Sequence, residues 1–335
     1  IFCAYNRTKL AITFVFLRQK GKILAERKGY SGNKMIGNRT NIYVMIRIKK
    51  FCCNAFEELS YLVWTGKACV IIDPGFDCEE EFDALHKTLK ENGITPSGIL
   101  LTHAHPDHVY GVQRLCEEFG IPVYANRGEE VTLGALHALC FNTGHSDVED
   151  FSSRIVWIED GDRILVSGGG AAVLKAGKES GGTLNAGEES GDGAHGESIP
   201  EGGLEFKVLF TPGHTAGGVC YLCREFRKTA AKKEDMSKKE DISPSSPHVS
   251  ESPENTEIKD SWKVLFSGDT LFAGCIGRSD LPGGDYTALM QGIFTRLLHL
   301  PGDLDVLPGH GPATTIADER TKNPFLQPFN EPCEE

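Results

Sequence analysis

The sequence predicts an α/β protein built as a single domain with two flexible insertions. Three observations carry this. From Met45 onward, short apolar runs of strand type alternate with segments of helical periodicity. Four of the apolar runs end in turns that bear His or Asp. Residues 167–203 and 227–261 break the rhythm with Gly, Ser, Glu, Lys and Pro, and neither stretch holds enough apolar surface to offset the entropy of ordering it.

Residues 1–44 differ from the rest: up to Lys50 the chain is rich in Lys and Arg, with Glu26 its single acid. Two readings account for this. One is a basic, acid-poor targeting segment. The other, which we prefer, is a natural start at Met45 with the upstream part outside the native coding sequence, because Met45-Ile46-Arg47-Ile48 opens a good strand. Residues 62–64 and 68–72 flank the turn Thr65-Gly66-Lys67 and read as a β-hairpin ending at Asp73-Pro74-Gly75. Residues 79–92 read as a helix closed by Gly93. Residues 98–101 form a strand that runs into His103, and residues 109–119 show helical spacing up to Gly120. Residues 121–124 are a short strand. Residues 154–158 and 163–166 flank Glu159-Asp160-Gly161-Asp162 as a second hairpin. The first insertion nearly repeats itself, at residues 176–181 and 186–191. The regular α/β domain therefore spans 45–322, and residues 323–335 form a tail.

At 335 residues and 40% hydrophobic content, the chain suits a globular protein with a buried core. No apolar run approaches the roughly 18 residues that would span a bilayer, so no membrane partner is expected. The formal net charge of −12 argues against a nucleic-acid partner. It leaves room for a small anionic substrate, since a metal site brings its own positive charge. The 11 cysteines lack framework spacing and read as reduced and mostly buried, in a cytoplasmic compartment unless the N-terminal extension directs the chain to an organelle. Cys220-Tyr221-Leu222-Cys223 has redox-motif spacing but lies in an apolar stretch, where two strand residues is the simpler reading.

The chemistry gathers at four strand ends. Residues 99–102 lead into His103-Ala104-His105-Pro106-Asp107-His108. Residues 207–210 lead to His214, residues 263–266 to Asp269, and residues 305–307 to His310. Strand ends set side by side in a sheet bring such residues to one rim. His103 and His105, two apart on extended chain, point the same way, and Pro106 holds His105 extended. The turn that follows aims Asp107 and His108 elsewhere, so one short segment serves two adjacent ions. Imidazoles and carboxylates without thiolates suit borderline divalent metals, zinc first and iron second. We assign His103, His105 and His214 to the first ion, Asp107, His108 and His310 to the second, and Asp269 as the bridge. One stray histidine is usually an ordinary surface or core residue; five on strand-end turns with two Asp are not. His86, His137, His145, His195, His248 and His299 lack that context.

On these residues the chain resembles the metallo-β-lactamase superfamily, which implies a four-layer αββα sandwich. The resemblance covers about residues 45–322 without the insertions, and it makes Asp73 the family's early Asp that supports the metal ligands from behind. Within the superfamily the chain looks like the glyoxalase II-like hydrolases (hydroxyacylglutathione hydrolase-like), in a short bacterial subgroup. The residues that carry this are Phe266-Ser267-Gly268-Asp269-Thr270-Leu271-Phe272, residues 277–284 (Gly-Arg-Ser-Asp-Leu-Pro-Gly-Gly), Leu307-Pro308-Gly309-His310-Gly311-Pro312 and Asn323-Pro324-Phe325. Full-length glyoxalase II enzymes add a C-terminal helical domain that helps hold glutathione. Here 25 residues follow His310, so the resemblance implies hydrolysis and leaves the substrate open.

The expected activity is hydrolysis of an anionic thioester such as S-lactoylglutathione. Water held between two ions loses a proton near neutral pH, its pKa falling from about 16 to about 7, and the hydroxide attacks the carbonyl carbon. Asp107 and Asp269 are the catalytic candidates, and Arg278 is a candidate for gripping the substrate's anionic end; its other reading is a surface pair with Asp280. The rival activities are a persulfide dioxygenase with one iron on the equivalents of His103, His214 and Asp269, and a metal-dependent phosphodiesterase or nuclease.

Overall fold

The computed structural model describes residues 13–14, 46–142, 150–177, 202–227 and 262–327. The elements run β1 (Thr13–Phe14), β2 (Arg47–Cys53), β3 (Glu58–Thr65), β4 (Ala68–Ile72), α1 (Glu79–Asn92), β5 (Ile99–Leu100), α2 (Val112–Phe119), β6 (Val123–Asn126), α3 (Glu130–Gly134), α4 (Leu136–Asn142), β7 (Ile155–Ile158), β8 (Arg163–Ser167), β9 (Gly170–Leu174), β10 (Gly202–Phe210), β11 (Val219–Arg227), β12 (Val264–Gly268), β13 (Leu271–Phe272), β14 (Cys275–Ile276), α5 (Tyr286–Gly292), β15 (Asp305–Pro308), β16 (Thr314–Thr315) and α6 (Ile316–Lys322).

One sheet has the order β1-β2-β3-β4-β5-β6-β7 and the other β16-β15-β12-β11-β10-β8-β9. Strand alternation explains how they stack. On β3 and β4, Leu62, Trp64, Cys69 and Ile71 face one way and pack with Phe82, Leu85 and Leu89 of α1 and Val112 and Leu115 of α2. The alternate residues Tyr61, Val63, Val70 and Ile72 face the second sheet, against Phe206, Val208, Tyr221 and Phe266. The far side of the second sheet, Leu209, Leu222 and Leu265, is covered by Leu289 of α5 and Ile316 of α6. The layers are therefore helix, sheet, sheet, helix. Strands buried on both faces read as unbroken apolar runs, which is why β3 and β4 stood out in the sequence.

α1 spans the expected residues. Its first turn carries Glu79, Glu80 and Glu81 at the positive end of the helix dipole, and Gly93 closes it in the left-handed conformation. Cys220 and Cys223 are buried residues of β11, as the strand reading requires. β9 adds an edge strand within the first low-complexity stretch, paired with β8. β1 pairs Thr13 and Phe14 with Lys50 and Lys49 of β2. The rest of residues 1–45, most of the two insertions and residues 328–335 lie outside the described residues. Among the described residues, no helix is long and apolar enough to cross a membrane.

Two expectations need correction. Residues 154–166 are not a hairpin: β7 pairs with β6 in the first sheet, whereas β8 pairs with β10 in the second. The turn crosses between sheets because Ile158, Ile164 and Val166 must all enter the layer between them. Asp162 anchors the crossing, its carboxylate accepting from Glu159 N–H at 2.9 Å and Ala176 N–H at 3.0 Å. The helix expected from residue 109 starts at Val112. A 3-10 turn at Pro106–His108 occupies the preceding stretch, and Gly111 N–H donates to Pro74 C=O at 2.9 Å instead of opening a helix earlier.

Candidate metal centre

Both sheets contribute strand ends to one rim. β4 leads to Asp73 and β5 to the His103–His108 segment, while β10, β12 and β15 of the facing sheet lead to His214, Asp269 and His310. Their donor atoms converge in overlapping groups: His103, His105 and His214; His103, His108 and Asp269; and Asp107, His108 and His310, each within 4.8 Å. The His103 ring centroid lies 4.8 Å from those of His105 and His214 and 4.1 Å from that of His108. Asp269 stands between the groups. Its Oδ1 lies 3.5 Å from His108 Nε2, and its Oδ2 lies 3.5 Å from His214 Nε2 and 3.7 Å from His310 Nε2. Asp107 Oδ2 is 3.2 Å from His310 Nε2. The residues assigned to ligation from sequence thus lie together at one rim, in three overlapping groups that share His103 and His108.

Three of the rings are oriented through their other nitrogen. His214 Nδ1 donates to Arg278 C=O at 2.7 Å, His310 Nδ1 donates to Phe56 C=O at 3.1 Å, and His103 Nδ1 lies 3.1 Å from Thr102 Oγ1. Asp73 accepts from Thr102 N–H at 2.7 Å and Thr102 Oγ1–H at 2.6 Å, and faces His108 Nδ1 at 3.3 Å. This is how metal-binding imidazoles are usually oriented, with Nε2 left free. Here His103 Nε2, His108 Nε2, His214 Nε2 and Asp269 Oδ1 are buried without a hydrogen-bond partner. Burying polar atoms unpaired is costly, and a divalent cation fits this set.

At His103, His105 and His214 the electrostatics agree with that fit. Burial, aided by the neighbouring imidazoles, drives His103 far below its ordinary pKa and His105 down to about 4, and it lowers His214. Burial would raise Asp107 and Asp269, but His108 and its neighbours outweigh it and hold both carboxyls low. His108 and His310 are raised, because the adjacent carboxylates overcome burial. The first group is therefore neutral imidazole beside ionised carboxylate, the state that a ligand set must reach to bind metal.

The backbone also approaches closely: a Cβ at Gly309 would lie 2.3 Å from Asp269 Oδ1 and 2.7 Å from His108 Cε1. The Arg278 guanidinium forks Asp280 at 2.8 and 2.9 Å on the surface, and the residue reaches the centre through its carbonyl.

Several supporting residues escaped the sequence reading. Glu58 is fully buried, bonded by Ser60 Oγ at 2.8 Å and 3.8 Å from His108 Nδ1. Its signal was an acid opening an otherwise apolar strand. Tyr61 and Tyr221 donate to the carbonyls of Pro308 and Leu101 at the ends of ligand-bearing strands. Asn54 and Glu129 sit in polar turns that gave no sign of burial. Of the other histidines, His86 pairs with Glu118 at the surface, while His145, His195 and His248 lie outside the described residues.

The model of the metallo-beta-lactamase superfamily matches residues 54–225. The chain is 30% identical to the probable metallo-hydrolase YqgX of Bacillus subtilis, over 81% of this chain and 93% of that protein. It is 27% identical to the hydroxyacylglutathione hydrolase GloC of Haemophilus influenzae, over 81% and 94%. Among solved structures it is similar to TTHA1623 in a di-iron-bound form, with TM-score 0.52 and 29% identity over 82% of this chain and 98% of that one. The four layers, the rim of converging strand ends and these relatives agree: the chain belongs to the metallo-beta-lactamase superfamily.

Proposed function

We propose that this metallo-hydrolase cleaves an anionic thioester of the S-lactoylglutathione type, using two divalent ions. The observation that carries the reading is the paired donor cluster joined by Asp269 and open on one side: the His108 side chain is fully buried, whereas that of His310 is 28% exposed. A closed structural site would hide all its donors; a catalytic one leaves room for substrate. His103, His105 and His214 would hold one ion, Asp107, His108 and His310 the other, with Asp269 between. Such ions supply Lewis acidity and draw the pKa of water toward neutrality. Zinc suits the donors, and the di-iron-bound form of TTHA1623 keeps iron as the alternative.

The chain's own groups do the rest. Asp107, beside the partly exposed His310, orients the attacking water. Asp269 and the fixed imidazoles hold the surrounding charge in place, so little reorganisation accompanies reaction. A thiolate leaves readily without a general acid. Similarity to GloC along nearly its whole length supports a thioester substrate. The thiols of Cys53, Cys69, Cys220 and Cys223 are buried and free of disulfides, which supports the reading of a reducing, cytoplasmic setting.

Metal analysis of the purified chain beside an S-lactoylglutathione hydrolysis assay tests this. Two ions per chain with turnover that chelator abolishes is the expected result. One iron per chain with oxygen uptake on glutathione persulfide would replace hydrolysis by dioxygenation, and turnover of a phosphodiester alone would move the chain to phosphoryl chemistry. Arg278 is our candidate for the substrate's anionic end: Arg278→Ala should raise KM with kcat held, and an unchanged KM would leave the side chain only its pairing with Asp280.

A further inference from the structure

The two donor groups are braced by different buried side chains. The Glu129 carboxylate is 1% exposed and lies at the back of the first group. Its Oε2 accepts from Ala104 N–H at 3.1 Å, the residue between His103 and His105. Its Oε1 accepts from the Thr215 hydroxyl and from Gly217 N–H at 3.0 Å, in the loop that carries His214. One carboxylate thus ties together the two loops that supply the first group. They pack backbone to backbone: a Cβ on Gly217 would lie 2.4 Å from Glu129 N, and one on Gly128 2.7 Å from Ala216 O.

Asn54 does the corresponding work at the second group. It lies in the β2–β3 turn with φ +50°. Its Nδ2 donates to Asp107 C=O and to Gly75 C=O, both at 2.9 Å. Its Oδ1 accepts from Phe56 N–H at 2.9 Å, and Phe56 C=O in turn accepts from His310 Nδ1. The same turn therefore sets Asp107 and His310. Glu129 bonds nothing in the second group, and Asn54 nothing in the first, among these contacts.

We propose that Glu129 and Asn54 are positioning residues that tune the two ions separately, Glu129 the one at His103, His105 and His214, and Asn54 the one at Asp107, His108 and His310. This rests on the two-ion reading above. Glu129 is an all-acceptor group facing donors on both oxygens. In Glu129→Gln one of these acceptors becomes an NH2, which faces a donor and releases one loop. In Asn54→Asp the left-handed turn is still tolerated, but an oxygen faces two carbonyls in place of the donor.

Competition with a chromophoric chelator on the full, zinc-loaded chain tests the proposal, with His105→Ala and His310→Ala marking which release phase belongs to which group. Glu129→Gln should weaken zinc at the first group by about 10- to 100-fold and leave the second within about twofold, and Asn54→Asp should do the reverse. Equal weakening of both phases in either variant, or of neither, overturns the proposal. If Glu129→Gln fails to fold, Thr215→Val decides, since it removes one bond to the carboxylate; if Asn54→Asp fails, Asn54→Gly decides, since glycine keeps the turn. A wild-type chain that takes up one ion sinks the two-ion reading and this inference with it. A wild-type chain with two ions, released unchanged by both variants, sinks the inference alone.

Discussion

Asp73 collects both donors of Thr102 and turns toward His108, all while held at φ +47°, in the left-handed region. A side chain in that role couples stability to metal binding. Asp73→Ala should leave Thr102 N–H and its hydroxyl buried without acceptors, at a cost of about 1–3 kcal/mol in denaturant melts. It should also weaken metal uptake by about 10- to 100-fold; a variant with wild-type metal content would separate Asp73 from the centre. Gly309→Ala acts by volume instead. Its methyl would meet Asp269 and His108, so hydrolysis and metal content should fall together, and full activity in that variant would contradict the close approach. At this scale the convergence of the candidate donors was legible because their spacing within one short run and their places after apolar strands are sequence properties. Glu129 was not legible: Arg127-Gly128-Glu129-Glu130 reads as an exposed polar turn, and only the loop bearing His214, packed over it, makes the acid buried.

At the scale of elements, Glu205 fastens three strands of the second sheet. It lies on β10, bonded by Arg163 of β8 and by Arg224 of β11 at 2.9 Å, with Arg224 directly opposite in the register. Burial penalises its charge, but the two guanidiniums outweigh this and hold the carboxyl below its ordinary pKa. A lowered folded-state pKa means stability that is fully present above the unfolded value, about 4.3, and lost as pH falls through the folded one. Because both arginines are partly exposed, Glu205→Gln should cost about 1–2 kcal/mol at pH 7. The gap to wild type should begin to narrow as pH falls below about 4.3 and close once pH has passed the lower folded-state pKa; a gap that does not narrow in acid would assign the loss to packing. Element ends carried by local chemistry, such as the acidic first turn of α1 and Gly93 after it, were readable in advance. The partners of β7 and β8 were not, since a Glu-Asp-Gly-Asp turn serves equally to fold a strand back or to pass it to the facing sheet.

At the scale of the whole molecule, the centre is a joint between sheets. His103 to His108 follow the first sheet, and His214, Asp269 and His310 follow the second, so ions held there would tie both layers at one rim. Ions that bind only the native chain stabilise it by about 2.7 kcal/mol each when free metal is a hundredfold above Kd. Chelation of both ions should therefore lower Tm by about 10–20 °C, with recovery on adding zinc; an unmoved Tm would mean that the joint carries no load. By itself the sequence determined the strand and helix periodicities, the types of the candidate donors, their order along the chain and the buried character of the central strands, because each depends on neighbours a few residues apart. Tertiary structure alone decided which sheet each strand joins, that Asp269 stands between the two ligand groups, that the Arg278 side chain pairs with Asp280 while its carbonyl holds His214, and that Glu129 and Asn54 lie behind separate groups. Those facts depend on contacts between residues far apart in the chain, which form only when the two sheets close on each other.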